Sequence, residues 1–140
     1  LVERLKPGGI VVFQELDASM VPMCSVPLPL HERVHHWIWD TVKHEGATPT
    51  MGLELAPLLL RAGLSVEHVR AECIVQAPGL PNAAASIVRG ILPRILAAGA
   101  ASEHDIDVET LEQRMADELA ENRATFVSDV YFGAWARKPS

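Results

Sequence analysis

The chain has 140 residues, of which 49% are hydrophobic and 21% are charged, and its formal net charge at pH 7 is −6. A chain of this length and composition can bury a core and is typical of a folded globular domain rather than a disordered segment. The acidic balance, without any cluster of Lys and Arg, argues against nucleic acid as a partner.

Two further features bear on where the protein works. No apolar run approaches the roughly 20 residues needed to cross a bilayer, and no signal peptide is visible, so we expect no membrane partner. The two cysteines, Cys24 and Cys73, do not indicate a disulfide framework. Together these features predict a cytoplasmic location.

The first residues read as the end of a helix rather than its beginning. Residues 1–6 contain neither an initiator Met nor an N-cap, and Pro7, Gly8 and Gly9 then stop the helix in a tight turn. We therefore expect that the chain has been cut from a longer protein; the alternative is a short natural helix trimmed at its start.

An apolar strand follows this turn. Residues 10–13 are hydrophobic without alternation, which is typical of a strand in a parallel sheet that is covered on both faces. The sequence becomes polar after Phe13, with Glu15 and Asp17 at the predicted carboxyl end of the strand. Since ligands of open α/β sheets bind at such ends, these two acids are candidate binding residues. The alternative, that they are solvated loop carboxylates, is equally compatible with the sequence.

A proline-containing loop over residues 18–29 leads into two predicted helices. The first covers about residues 30–45 and carries an apolar stripe at three- and four-residue spacing, with Trp39 off that stripe. The second covers about residues 53–62. Its start at residue 53 would place Pro57 near the first turn, where a missing N–H costs little.

The clearest strand pattern covers residues 66–77, where alternation predicts one buried face that includes Cys73. Two more helices are predicted at about residues 83–97 and 108–121, the second with Asp107 as its N-cap. Aromatic and β-branched residues close to the end of the chain predict a buried, central last strand.

The elements therefore alternate as strand, helix, helix, strand, helix, helix, strand, which is an α/β arrangement with three strands. The first strand is apolar on both faces, and such a strand normally has a neighbour on each side. One neighbouring strand is expected to be missing from this chain.

Three segments resemble class I S-adenosylmethionine-dependent methyltransferases, in that family's order. Residues 4–9 (Arg-Leu-Lys-Pro-Gly-Gly), before an apolar strand ending at Glu15, resemble the segment leading into the family's fifth strand. Residues 58–64 (Leu-Leu-Leu-Arg-Ala-Gly-Leu) resemble its last long helix and the approach to its sixth strand. Residues 132–139 (Phe-Gly-Ala-Trp-Ala-Arg-Lys-Pro) resemble its seventh strand.

The resemblance implies the C-terminal portion of a Rossmann-like methyltransferase sheet. Its three strands would lie in the order first, third, second, with the last strand antiparallel and central. Residues 1–140 would form a single partial domain, with a lid insertion at 18–50 after the first strand and a helical insertion at 79–123 before the last. The full-length enzyme would transfer a methyl group from S-adenosylmethionine to a small-molecule acceptor. This fragment would supply the acceptor-side pocket and be inactive alone.

The cofactor site of that family lies on earlier strands, in a Gly-rich loop and an acidic residue that are not found here. Gly8 and Gly9 precede a strand instead of opening a helix, so they are not a nucleotide-binding loop. No residue is therefore assigned to cofactor binding, and S-adenosylmethionine would bind mostly outside this chain.

The position of the predicted lid and strand ends implies a set of acceptor-binding candidates. They are Glu15, Asp17, His31, His35, Trp39 and Phe126. Glu15 and His31 are also weak candidates for a catalytic base, which helps only where the acceptor must lose a proton.

A competing pattern lies in the first predicted helix. His31, Glu32 and His35 match H-E-x-x-H, in which two histidines share a Zn²⁺ ion and the glutamate acts as base, and Glu54 is spaced as a third ligand. The pattern fixes only three residues of a His-rich helix, so we expect no bound metal. A zinc-dependent hydrolase remains the alternative function, together with a non-enzymatic interaction module, which the amphipathic helices and incomplete sheet would suit.

An exposed strand edge also predicts self-association. If the strand at residues 10–13 lacks a neighbour, its apolar edge would tend to pair with another chain. A two-fold arrangement is the commonest way to cover such a surface, so we expect a homodimer or higher oligomer with its interface near this strand or its flanking helices.

Overall fold

The structure is a computed structural model that describes residues 2–20 and 22–140. In the described residues the chain forms an α/β fold with a four-stranded, open, antiparallel sheet and five α-helices. A short 3-10 helix at Val2–Arg4 comes first, followed by β1 (Ile10–Asp17), β2 (Met23–Cys24), α1 (Pro29–His44), α2 (Met51–Arg61), β3 (Ser65–Gln76), α3 (Ala84–Ala98), α4 (Glu103–Ile106), α5 (Leu111–Asn122) and β4 (Phe126–Arg137). The three predicted strands and four predicted longer helices are all present, whereas β2 and α4 were not predicted.

The last long strand, β4, is the centre of the sheet. β1 pairs antiparallel with β4 along its whole length, and β3 also pairs with β4. β3 runs antiparallel to β4, because Glu67 contacts Arg137 while Arg70, further along β3, lies beside Gly133. Because β1 and β3 meet the same part of β4, they flank it in the order predicted from the sequence. β2 adds a short antiparallel pairing at the start of β4.

The chain divides into two compact units, each built from separate segments. The sheet unit comprises Leu1–Met20, Pro49–Ile74 and Asp129–Ser140, and the helical unit comprises Val21–Thr48 and Val75–Ser128. The sheet unit contains β1, α2 and most of β3 and β4, and the helical unit contains β2 and the other four helices. No helix in the described part of the chain combines the length and the apolar character needed to span a bilayer.

In the sheet unit, α2 covers one face of β1. The core consists of Val11, Leu55, Leu59, Leu64, Ala134 and Ala136. Along β1 the residues alternate, so that Val11 is buried while Ile10 and Val12 are 47% and 68% exposed. The prediction that both faces of this strand are covered is therefore wrong for the described residues, because α2 covers only the Val11 face.

β3 is exposed along most of its length. Cys73 is exposed, and Val69 and Val75 are 42% and 46% exposed, so the predicted buried face with Cys73 on it is wrong. The physical reason is that, in the described residues, no layer covers either face of the strand between residues 67 and 73. The strand is covered only near its ends: Leu64 and Val66 join the core of the sheet unit at its start, and Gln76 is buried at its end.

The junction between β1 and α2 is closely packed. Gly52 is the second residue of α2, and a Cβ atom added there would lie 2.6 Å from the Phe132 ring and 2.8 Å from Cβ of Asp17. Asp17 is buried, and its carboxylate accepts hydrogen bonds from the backbone N–H groups of Ser19 (2.9 Å) and Leu53 (3.1 Å). Asp17 therefore satisfies a free N–H in the first turn of α2, as a cap residue does.

Two details of the predicted helices differ from the structure. α2 begins at Met51, so Pro57 lies inside the helix rather than in its first turn. The N-cap of α5 is Thr110 and not Asp107, because Asp107 instead ends α4 with a left-handed φ of 41°. The carboxylate of Asp107 still serves the start of α5 indirectly, since it accepts a 2.5 Å hydrogen bond from the Thr110 hydroxyl.

The helical unit is built around α1, which packs against α3 and α5. Its main core consists of Leu30, Val34, Trp37, Ala85, Val88, Ile95, Ile106, Leu111 and Met115. The predicted apolar stripe of α1 enters this core. A second set of α1 side chains, including His31, His35 and Trp39, is buried as well, so α1 is covered on more than its apolar stripe.

Two glycines provide a matched test of the α2 junction. We expect Gly52→Ala to lower the free energy of unfolding by about 1–3 kcal/mol, because the added methyl group overpacks the Phe132 ring and Asp17. Gly90, inside α3, has no atom within 4 Å of an added Cβ, so Gly90→Ala should raise the stability by about 0.5–1 kcal/mol through helix propensity. Urea denaturation of both variants measures the difference; equal effects would contradict the close packing of Gly52.

Candidate functional site

Three of the predicted site residues lie on one buried side of α1. His31, His35 and Trp39 follow each other at four-residue spacing, which places them one helical turn apart, and all three are buried. The His35 and Trp39 rings lie 6.4 Å apart between centroids. Trp39 lies off the apolar stripe as predicted, and it is nevertheless buried within the chain.

His31 forms the most tightly organised contact of this group. Its side chain is fully buried, and its Nδ1 atom lies 2.7 Å from a carboxylate oxygen of Glu118 on α5. The same carboxylate accepts the backbone N–H groups of Leu30 at 2.9 Å and His31 at 3.0 Å. Leu28, the N-cap residue of α1, provides no side-chain cap, so Glu118 supplies from another helix what the local sequence does not.

The three hydrogen bonds fix the charge of Glu118. Burial alone would raise the pKa of this carboxyl group, but the hydrogen bonds from the His31 ring and from the backbone of Leu30 and His31 outweigh burial and hold its pKa below the usual value. An ionised carboxylate only accepts hydrogen bonds, so Nδ1 of His31 carries the proton. In the neutral ring, Nε2 then carries the free lone pair.

The His31 ring is buried beside an aromatic side chain. Nε2 of His31 is buried and has no hydrogen-bond partner among the described residues. The His31 ring packs against Phe126, with centroids 5.2 Å apart and an interplanar angle of 52°. Phe126 belongs to a small core cluster with Leu28, Leu119 and Ala124. The structure thus brings together the predicted residues His31 and Phe126.

This arrangement has the elements of a general base. A carboxylate holds one ring nitrogen in its protonated form, and the other nitrogen keeps a lone pair in a site without competing donors. A buried lone pair without a partner costs free energy, and groups of this kind warrant a functional explanation. His31 and Glu118 are therefore the candidate functional pair of the helical unit.

The two acidic candidates of β1 belong to the sheet unit and differ from each other. Both carboxylate oxygens of Asp17 are occupied, by Ser19 and by Leu53 of α2. Burial would raise the pKa of Asp17, but these hydrogen bonds lower it below its usual value. Its contacts are those of a helix cap. Glu15 lies opposite Phe132 in the pairing of β1 with β4, and it is exposed.

The residues of the H-E-x-x-H pattern make other contacts in the structure. His31 directs Nδ1 to Glu118. A carboxylate oxygen of Glu32 lies 3.8 Å from Sγ of Cys24. Glu54 forms an ion pair with Arg61 at 3.4 Å. Within the part of the chain that the structure describes, no group of three or more His, Cys, Asp or Glu residues is placed to hold a metal ion.

Sequence reasoning missed Glu118, the partner that gives His31 its orientation. The two residues are 87 positions apart, so no local spacing signals their contact. Glu118 also lies in a stretch of α5 with other acids, which reads as a solvated helix face. Only the packing of α5 against the start of α1 identifies it.

No family model and no curated protein matches the chain, so comparison with known proteins does not assign it to a family. Two features of the structure bear on function. One is the order and direction of the strands around β4, and the other is the His31–Glu118 pair.

The pair generates a pH-dependent stability prediction. At neutral pH, Glu118→Gln should lower the free energy of unfolding by about 1–3 kcal/mol, because it removes a charged acceptor from three buried donors. The folded-state pKa of Glu118 is depressed, so its contribution is present above the unfolded pKa of about 4.3 and is lost as pH falls through the lower folded value.

The measurement is urea denaturation of wild type and variant across the acidic range. The difference in stability should shrink as pH falls. Glu121→Gln, on the exposed part of the same helix, is the control and should stay within about 0.5 kcal/mol of wild type. A difference that stays constant with pH would contradict an ionised Glu118.

Proposed function

We propose that this chain is the acceptor-side portion of a class I S-adenosylmethionine-dependent methyltransferase. The observation that carries the proposal is the central position of β4, antiparallel to both β1 and β3. In that family the seventh strand lies antiparallel between the fifth and the sixth. β1, β4 and β3 would take the places of the fifth, seventh and sixth strands.

The connection between β1 and β3 supports the same proposal. Both strands run antiparallel to β4, so they run parallel to each other, and the chain reaches β3 through α2, which packs on β1. This is a strand–helix–strand crossover, which is typical of doubly wound α/β sheets and absent from a simple hairpin meander. The Leu-Leu-Leu-Arg-Ala-Gly-Leu segment at 58–64 forms the end of that helix and the turn into β3.

Under this proposal the helical unit supplies the acceptor pocket. The two predicted insertions, at 18–50 and 79–123, largely coincide with the two segments of that unit, Val21–Thr48 and Val75–Ser128. Two insertions from different points of a sheet would thus fold into one compact body. His31 and Glu118 come one from each insertion, so their contact joins the two.

The residues of the chain do not fit a site for the cofactor itself. Gly8 has a φ of 75° and the Gly9 N–H donates to the carbonyl of Lys6, so both glycines form the turn into β1. The described residues contain no Gly-rich turn that opens a helix after a strand. We therefore propose no contact between the cofactor and the residues of this chain.

His31 would act on acceptors that lose a proton during methyl transfer. Nε2 would accept the proton of the acceptor, while Glu118 keeps Nδ1 protonated and stabilises the charged ring that results. Because Nε2 is buried, the acceptor can reach it only if the side chains that cover it move apart. Hydroxyl and enol acceptors are the classes that such a base would assist.

The complete reading frame that encodes these residues gives the test. We expect its product to bind S-adenosylmethionine and to form S-adenosylhomocysteine with a hydroxyl or enol acceptor, whereas residues 1–140 alone show no binding by calorimetry at micromolar concentration. Failure of the complete product to bind S-adenosylmethionine, or micromolar binding by residues 1–140, would overturn the proposal.

The role of His31 is tested separately in that complete product. His31→Gln should lower kcat by about 10²–10⁴-fold, because glutamine cannot accept the proton of the acceptor. His36→Gln is the control, because His36 is the exposed neighbour on the same helix. Unchanged kcat in His31→Gln would exclude His31 as the base and leave the methyltransferase assignment standing.

The free edge of β1 supports the proposed self-association. Within residues 2–20 and 22–140, β1 has one hydrogen-bonded neighbour, β4, and its exposed Ile10 and Val12 are followed by no Lys or Pro in the strand. Such an edge pairs readily with another strand. We expect residues 1–140 to form a dimer or higher oligomer in size-exclusion chromatography with light scattering. A monodisperse monomer at micromolar concentration would contradict this.

A further inference from the structure

The helical unit contains a cavity that the His31–Glu118 pair does not use. It has a volume of about 340 Å³ and lies between the loop after β3 and helix α5. Volumes of about 300–1,000 Å³ are typical of small-molecule sites. Its apolar lining includes Leu80, Pro81, Ala85, Met115 and Leu119.

The loop that forms one wall is held in place by several contacts. The Leu80 N–H donates to the carbonyl of Ala77 at 3.0 Å, which closes a turn whose third residue, Gly79, has a φ of 79°. Asn82 donates through Nδ2 to Gln76 at 2.9 Å and accepts the N–H of Ala84 at 2.9 Å. A wall that is already ordered loses little entropy when a ligand binds.

The facing wall is open because α5 carries small residues there. Ala116 and Ala120 are one helical turn apart, both line the cavity and both are exposed rather than packed. Met115 and Leu119, which also line it, are buried and offer an apolar floor. Leu80 is 55% exposed at the loop, so a ligand with an apolar body would cover a large hydrophobic side chain.

The charged residues that line the cavity are both acidic. Its charged lining residues are Glu112 and Asp117, and no Lys, Arg or His of the described residues lines it. Asp117 accepts a 2.8 Å hydrogen bond from Gln113. Because Gln113 is neutral, this contact does not balance the negative charge of the carboxylate. Two carboxylates beside an apolar surface attract a cation and repel an anion.

We propose that this cavity binds a small organic cation, with its hydrocarbon part against Met115 and Leu119 and its protonated amine near Glu112 and Asp117. Neither His31 nor Glu118 lines the cavity, and its occupancy does not depend on the proposed methyl transfer. Amines with a short alkyl or cyclic body have the chemistry and the size that the cavity fits.

Three probes of similar size and different charge test the proposal on the whole chain. Hexylamine, hexan-1-ol and hexanoate are titrated into ¹⁵N-labelled protein, with the amide signals of Gly79, Leu80 and Ala116 as the readout. We expect saturable binding of hexylamine, about fivefold weaker binding of hexan-1-ol because exposed carboxylates add a modest attraction, and no binding of hexanoate. Equal shifts with hexanoate, or no saturable shifts with hexylamine, would overturn the proposal.

Variants separate the contributions of shape and charge. Ala116→Leu should remove binding of both hexylamine and hexan-1-ol by filling the space, and Ala120→Leu serves the same purpose if the first variant is destabilised. The double variant Glu112→Gln/Asp117→Asn should bind hexylamine no better than hexan-1-ol, whereas Glu121→Gln, an acid of α5 outside the cavity lining, should leave the preference unchanged. Retention of the preference in the double variant would refute the assigned charge complementarity.

Discussion

A single carboxylate connects the start of α1 with α5, and much of the helical unit depends on it. α1 begins at Pro29, and its N-cap residue Leu28 provides no capping side chain, so the free N–H groups of the first turn need an acceptor from elsewhere. Glu118 accepts two of them and also holds Nδ1 of His31. The same contact therefore sets the position of a helix, the proton of a buried ring and the charge of the acid itself.

The sheet unit depends on a comparable contact. Asp17, at the end of β1, accepts the N–H of Leu53 in α2, and Gly52 allows the helix to approach the ring of Phe132 on β4. In each unit an acid from another element accepts N–H groups in the first turn of a helix: Glu118 of α5 for α1, and Asp17 for α2. Packing between elements, rather than the helices' own end residues, therefore determines where α1 and α2 lie.

The sequence was most informative where a pattern extends over a whole element. The apolar spacing of the helices and the content of β4 predicted their positions and the central place of the last strand, whereas α4 was missed although Ser102 and Asp105 form a capping box. Burial was predicted less well, because alternation in β3 shows which residues share a face and not whether anything covers it. The partner of His31 was not predictable, since it lies 87 residues away.

The central place of β4 has a consequence for synthesis. β1 and β3 have their backbone partners on a strand that the ribosome makes after both of them, so neither can complete its hydrogen bonds while the chain is growing. Contacts between residues so far apart in sequence form slowly, and unpaired strands are prone to aggregate. The helical unit contains the contiguous run from α3 to α5, which is complete earlier. During translation, helices can therefore form before the sheet, and the unpaired strands are the segments most prone to aggregate.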